Sequence, residues 1–162
     1  MTFAPFYEYF PVLASEETLQ INITSQAPGD PPSGEYYFHE LFCFDPECDC
    51  QNAIIAVNRK NKEGKFEEVT RLRFCWKNNT FYEEIGLLFG NDILPGVFPD
   101  MNRRPARFDD YFAKLFESKC YERSHNSFKP QETPYTKKVK HHYKLYKEHL
   151  IRKSPNKQLQ DK

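Results

Sequence analysis

The sequence predicts an α+β fold: an antiparallel sheet of about five strands, with helices from the C-terminal part packed on it. Three observations carry this expectation. Segments of alternating or continuous apolar character follow one another from residue 19 to residue 89, mostly joined by short polar turns. Two segments after residue 107 instead place apolar residues at helical spacing. Large rings are abundant, 15 Phe and 10 Tyr against one Trp, and can fill a core that a hydrophobic content of 39% would otherwise leave thin. A chain of 162 residues suits one domain, expected over residues 1–153, with 154–162 as a flexible polar tail.

Phe3 to Leu13 is rich in rings and broken by Pro5 and Pro11, and reads as an irregular or briefly helical arm laid on the body. Leu19 to Thr24 alternates, with Leu19, Ile21 and Ile23 on one face, the pattern of a half-buried strand. Pro28, Gly29, Pro31, Pro32 and Gly34 make a loop. Glu35 to Cys43 and Ala53 to Arg59 read as two strands joined by a cysteine-bearing loop, and Asn58 to Lys65 as a polar turn. Phe66 to Trp76 and Thr80 to Phe89 read as two more strands. Lys77, Asn78 and Asn79 would form their hairpin turn, since Asn tolerates left-handed backbone. Residues 90–107 hold Pro95, Pro99 and Pro105 and read as a loop or crossover. Asp109 is the expected N-cap of a helix carrying Tyr111, Phe112, Leu115 and Phe116 to about Tyr121. A second helix is expected from Tyr135 to about Lys153, with Val139, His142, Tyr143, Tyr146 and Leu150 on its apolar stripe.

A net charge of zero conceals an asymmetry. Residues 1–50 carry nine acidic side chains and no Lys or Arg, whereas residues 129–162 carry ten Lys or Arg and three acids. The two ends of one small domain are expected to lie close and neutralise each other. The sequence contains no run of about 18 apolar residues and no charged-then-apolar leader, which argues against a membrane span and a secretory signal. Five cysteines, three of them within eight residues, suit a reducing compartment better than a disulfide framework, so the expected location is the cytoplasm.

Cys43-Phe-Asp-Pro-Glu-Cys48-Asp-Cys50 is the strongest chemical signal. Zinc takes four ligands on a tetrahedron at about 2.0–2.3 Å, and thiolates are favoured in structural sites. A turned loop through Asp45 and Pro46 lets three sulfurs converge. The fourth ligand must come from elsewhere. His39 would lie about 13 Å from Cys43 along an extended strand. Cys75 shares a strand face with Arg71, Arg73 and Lys77, away from Leu72, Phe74 and Trp76, and Cys120 sits at a helix end. His142, on the apolar stripe of the last helix, is the preferred candidate, with Cys75, Cys120, His141, His39 and water as alternatives.

The segments FPVLASEET (10–18), GEYYFHELFCFDPECDCQNAIIAV (34–57) and KVKHHYKLYKE (138–148) resemble an uncharacterised bacterial protein family whose members often carry a C-terminal SEC-C zinc motif. The resemblance covers about residues 6–150 and rests most specifically on the Cys-x4-Cys-x-Cys segment and the late His-Tyr pair. The family's pair matches His142 and Tyr143, which implies a Cys3His-type site. The SEC-C motif itself is missing, since no cysteine follows Tyr146. The family supplies no established reaction.

Three thiolates from one loop make a poorly Lewis-acidic metal, so an enzyme is not expected. The zinc-deaminase pattern fails, because nothing separates His39 from Glu40 and only one residue separates Cys48 from Cys50. No phosphate-binding Gly loop, Gly-x-Ser-x-Gly elbow or His-Glu-x-x-His occurs. The expected function is a zinc-binding interaction module with a protein partner. Two alternatives are a nucleic-acid-binding protein using Lys137, Lys138, Lys140, Lys144 and Lys147 of the last helix, and a zinc-dependent hydrolase.

Overall fold

The computed structural model describes residues 2–24, 27–90, 93–123 and 130–153; the expected tail at 154–162 lies outside the described residues. Strands β1 (Phe3–Pro5), β2 (Leu19–Ile23), β3 (Gly34–Cys43), β4 (Asn52–Lys60), β5 (Phe66–Cys75) and β6 (Gly96–Pro99) make one sheet in which every pair is antiparallel. The order is β1-β3-β4-β5-β6, and β2 shares the outer edge of β3 with β1. β2 takes the Gly34 end of that edge and β1 the Cys43 end, where Phe3 stands opposite Cys43. Helices α1 (Pro11–Glu17), α2 (Asn79–Glu84), α3 (Asp109–Cys120) and α4 (Pro134–Arg152) complete the fold with a small ribbon of β7 (Tyr121–Glu122) and β8 (Gln131–Glu132).

Period-two alternation sends Tyr36, Phe38, Phe42, Ile55, Leu72 and Phe74 to one face, where α3 and α4 cover them. The apolar stripe expected for α4 is buried as a set: Val139, His142, Tyr143, Tyr146 and Leu150. Ring-on-ring contacts dominate this core, for example Phe38 against Phe116 at 5.5 Å and Trp76 against Tyr143 at 5.3 Å between centroids. The opposite face holds two smaller groups, Leu41, Ile54 and Ala56 with Phe3, and Cys75, Tyr82, Leu94 and Phe98. Cys75 thus points away from the main core, as its register predicts, and is covered there by α2.

The arm at the N-terminus is more regular than expected, comprising β1, a 3-10 turn over Phe6–Glu8 and α1, which starts on Pro11. The strand expected over Thr80–Phe89 is instead the helix α2. Asn78 caps it, its side-chain oxygen accepting the Phe81 N–H at 2.9 Å, so the asparagines begin a helix rather than turn a hairpin. The missing sheet position is filled from the expected loop by β6, a short edge strand ending at Pro99, where a proline disrupts no ladder. Asp109 is the first residue of α3 and not its cap; Phe108 holds the cap position, while the Asp109 carboxylate accepts the Ala106 N–H at 2.7 Å.

Candidate metal centre

Cys43 ends β3, and the loop to β4 brings Cys48 and Cys50 back over it. The three Sγ atoms lie within 4.8 Å of one another, the one group of its kind among the described residues. Four ligands at about 2.3 Å on a tetrahedron would set sulfurs about 3.8 Å apart, a spacing compatible with this group. Cys43 and Cys50 are buried and Cys48 is half-buried. All five cysteines are free thiols. Burial and then Cys43 push Cys48 up, against a hydrogen bond with Cys50; burial, Cys43 and Cys48 push Cys50 to about 12; the Lys147 ammonium opposes both shifts. Crowded thiols of this kind favour a cation that takes the place of their protons.

The loop is held in place chiefly by hydrogen bonds. Its edge joins β1 through the Phe44 N–H to the Thr2 carbonyl at 2.8 Å, and it turns through the Cys48 N–H to the Asp45 carbonyl at 3.1 Å. Lys147 from α4, buried although a lysine, donates to the carbonyls of Cys43 at 2.8 Å and Asp45 at 2.9 Å. The Tyr143 hydroxyl donates to Asp49 at 2.9 Å and accepts the Gln51 N–H at 3.1 Å. Gln51 sits at φ 49, in the left-handed region, and serves as a hub. Its carbonyl accepts from the Tyr82 hydroxyl and its side chain from the Trp76 indole at 2.9 Å. The sequence marks Lys147 as a candidate phosphate contact and Tyr143 as part of the His-Tyr pair, not as braces of the cysteine loop, and nothing about Gln51 announces a left-handed turn.

His142, the preferred fourth ligand, does not belong to the sulfur group. Its Nδ1 lies 2.7 Å from Glu40 and its Nε2 3.4 Å from Glu17, and its ring stacks on Phe6 at 4.5 Å. Both nitrogens are engaged by carboxylates, so the residue clamps α4 to β3 and α1 without help from metal. The alternatives also lie apart. His39 bonds Asn58 at 2.8 Å, Cys75 packs with Tyr82, Cys120 is in the main core and His141 is exposed. Cys43 and Cys48 line a surface hollow of about 460 Å³ with Thr2, Phe44 and Asp45, and of the three cysteines only Cys48 is partly exposed.

The acidic N-terminal third and the basic helix do meet, at Glu17, Glu40 and Asp49 on one side and Lys138, His142 and Tyr143 on the other. The expected phosphate-binding stripe is interrupted. Lys140 pairs with Glu132, Lys138 lies 3.9 Å from Glu17 and Lys147 is buried, which leaves Lys137 and Lys144 exposed. No helix among the described residues is long and apolar enough to cross a membrane. Comparisons with protein-family models, curated proteins and solved structures gave no match to this chain.

Proposed function

We propose that the chain is a non-enzymatic interaction module stabilised by a structural zinc ion on Cys43, Cys48 and Cys50, with a protein as its partner. The observation that carries this is the convergence of three sulfurs on a loop pinned by Lys147 and Tyr143. Soft thiolates select zinc or a similar ion over magnesium or calcium. In the cytoplasm, the location we propose, the thiols would stay reduced and available. With His142 committed to two carboxylates, water or a ligand from outside the described residues supplies the fourth position. Three thiolates leave the metal electron-rich, which disfavours hydrolysis even with water bound. The broken lysine stripe favours a protein over nucleic acid.

Elemental analysis of freshly purified, reduced protein should find about one zinc per chain, and Cys48→Ser should lower that content sharply. Cobalt in place of zinc should give the intense thiolate charge-transfer absorption of a sulfur-rich site. Metal-free protein that takes up neither ion would end the proposal.

A further inference from the structure

The three sulfurs of the metal centre differ in what can reach them. Cys43 and Cys50 each keep 1% of their surface exposed, while Cys48 is half-buried. Cys48 lines the hollow of about 460 Å³ together with Cys43, and also a second hollow of about 490 Å³ between the loop and α4. Cys50 lines neither of them. Cys75 and Cys120 are wholly buried, the first under α2 and the second in the main core. A small oxidant therefore meets Cys48 first and finds Cys43 on the same wall.

Geometry also selects Cys43 as the partner. The chain between the two is already folded back, with the Cys48 N–H on the Asp45 carbonyl at 3.1 Å and the Glu47 N–H on the Asp45 carboxylate at 3.0 Å. The two sulfurs lie within 4.8 Å, and the Cys43 and Cys48 thiols are hydrogen-bonded. A disulfide needs them at about 2.05 Å with a dihedral near 90°. Four intervening residues leave room to reach that geometry. Cys48 and Cys50 are hydrogen-bonded as well, but Asp49 alone separates them, and so short a bridge is strained. An exposed thiol beside a resolving thiol is the arrangement of a redox-sensing pair.

We infer that a peroxide joins Cys43 to Cys48 as a disulfide, and that this bond empties the metal site. Cys48 Sγ attacks one peroxide oxygen, the O–O bond breaks, and a sulfenic acid and a first water result. Cys43 Sγ then attacks the Cys48 sulfur, the S–S bond forms, the S–O bond breaks, and the oxygen leaves as a second water. The two sulfurs give up two electrons and the peroxide gains them. Free thiols supply the two protons themselves; metal-bound thiolates take them from solvent and release the ion as a dication. Cys50 alone then remains as a ligand, too few for zinc. Coordination deprotonates a thiol outright, so a bound ion offsets the upward shift of the free Cys48 thiol. The inference rests on the metal reading for its consequence, whereas the choice of pair stands on the thiols alone.

The full chain, reduced and then freed of reductant, is treated with hydrogen peroxide, alkylated and mapped by mass spectrometry. At completion Cys43–Cys48 should be the main cross-link, with Cys50, Cys75 and Cys120 still alkylated. A chromogenic chelator should show zinc released in step with the cross-link, and dithiothreitol with added zinc should restore both thiols and metal. Cys50→Ser should still form the cross-link and Cys48→Ser should form none, with near-UV circular dichroism showing that each keeps its aromatic core. A main cross-link between Cys48 and Cys50, or oxidation of Cys75 or Cys120 alongside Cys48, overturns the inference. Cys48 driven to sulfinic acid with no cross-link, or zinc retained by the cross-linked chain, overturns it too. Protein that carries no zinc yet forms the Cys43–Cys48 bond would sink the metal reading while supporting the pair.

Discussion

Lys147 holds two backbone carbonyls of the cysteine loop and places a positive charge over the Tyr143 ring at 5.6 Å, beside the thiols. A buried ammonium is costly unless its donors are used, and here two of them fix the loop that carries the sulfurs. Its charge also favours thiolate over thiol at Cys48 and Cys50, against burial and against Cys43. Lys147→Met should therefore weaken zinc affinity about tenfold or more. It should also raise the pH at which acid releases the ion, because the thiols then hold their protons more strongly. An unchanged release pH would confine Lys147 to bracing the backbone. His142 behaves in the opposite sense. Burial alone would lower its pKa, but Glu40 and then Glu17 outweigh that and raise it, with the Tyr135 hydroxyl on the far oxygen of Glu40 and Lys138 near Glu17. A raised folded-state value means stability that is complete below the unfolded value of about 6.5 and lost as pH climbs through the folded one. The melting-temperature gap between the protein and His142→Asn should shrink as pH rises across that window. A gap that widens with pH would contradict a charged His142–Glu40 pair.

At the scale of elements, α2 is held by the Asn78 cap, by Asn79 accepting the Leu94 N–H at 2.9 Å, and by the buried Tyr82 ring, whose hydroxyl donates to Gln51. Asn78→Ala should cost about 1 kcal/mol, the usual worth of such a cap. Because α2 covers Cys75, the same change should raise Cys75's rate of alkylation in a Cys43→Ser/Cys48→Ser/Cys50→Ser background, and an unchanged rate would mean that α2 forms without its cap. The helix was hidden in the sequence because Thr80 to Phe89 holds neither period cleanly: apolar Phe81 and Tyr82 are adjacent, and so are the exposed Glu83 and Glu84. β2 to β5 and the last two helices were legible because each holds one period throughout or is a continuous apolar run bounded by turn residues. β6 was not, since Pro95 and Pro99 mark a loop and only the free edge of β5 makes the segment a strand. The three-sulfur group was legible because it is local, eight residues of one loop. The fourth ligand was not, because it depends on how far α4 slides along the sheet. His142 faces inward as its stripe requires, but five residues of helix, about 7.5 Å of rise, separate it from Lys147, which is the residue that reaches the loop.

For the whole molecule, the question is how much of the fold the proposed zinc ion would carry. A small zinc finger has no core without its ion, so its metal-binding free energy is its folding free energy. This chain differs, because Phe38, Phe42, Phe74, Phe112 and Phe116 are wholly buried between the sheet and two helices, and none of them needs the sulfurs. The His142–Glu40 clamp also docks α4 independently of the loop. Removal of zinc should therefore loosen the loop and leave the body folded. Binding stabilises by about 4 kcal/mol when free metal is a thousandfold above its dissociation constant, and chelation would forfeit a term of that size without necessarily unfolding the protein. Hydrogen exchange after treatment with a strong chelator should show lost protection at the amides of Phe44, Cys48 and Gln51, whose acceptors are Thr2, Asp45 and Tyr143. Amides in the centre of β3 and β4, such as Phe38 and Ile55, should stay protected. If protection collapses there too, the ion is a requirement of the fold, and the aromatic core is too weak to stand without it.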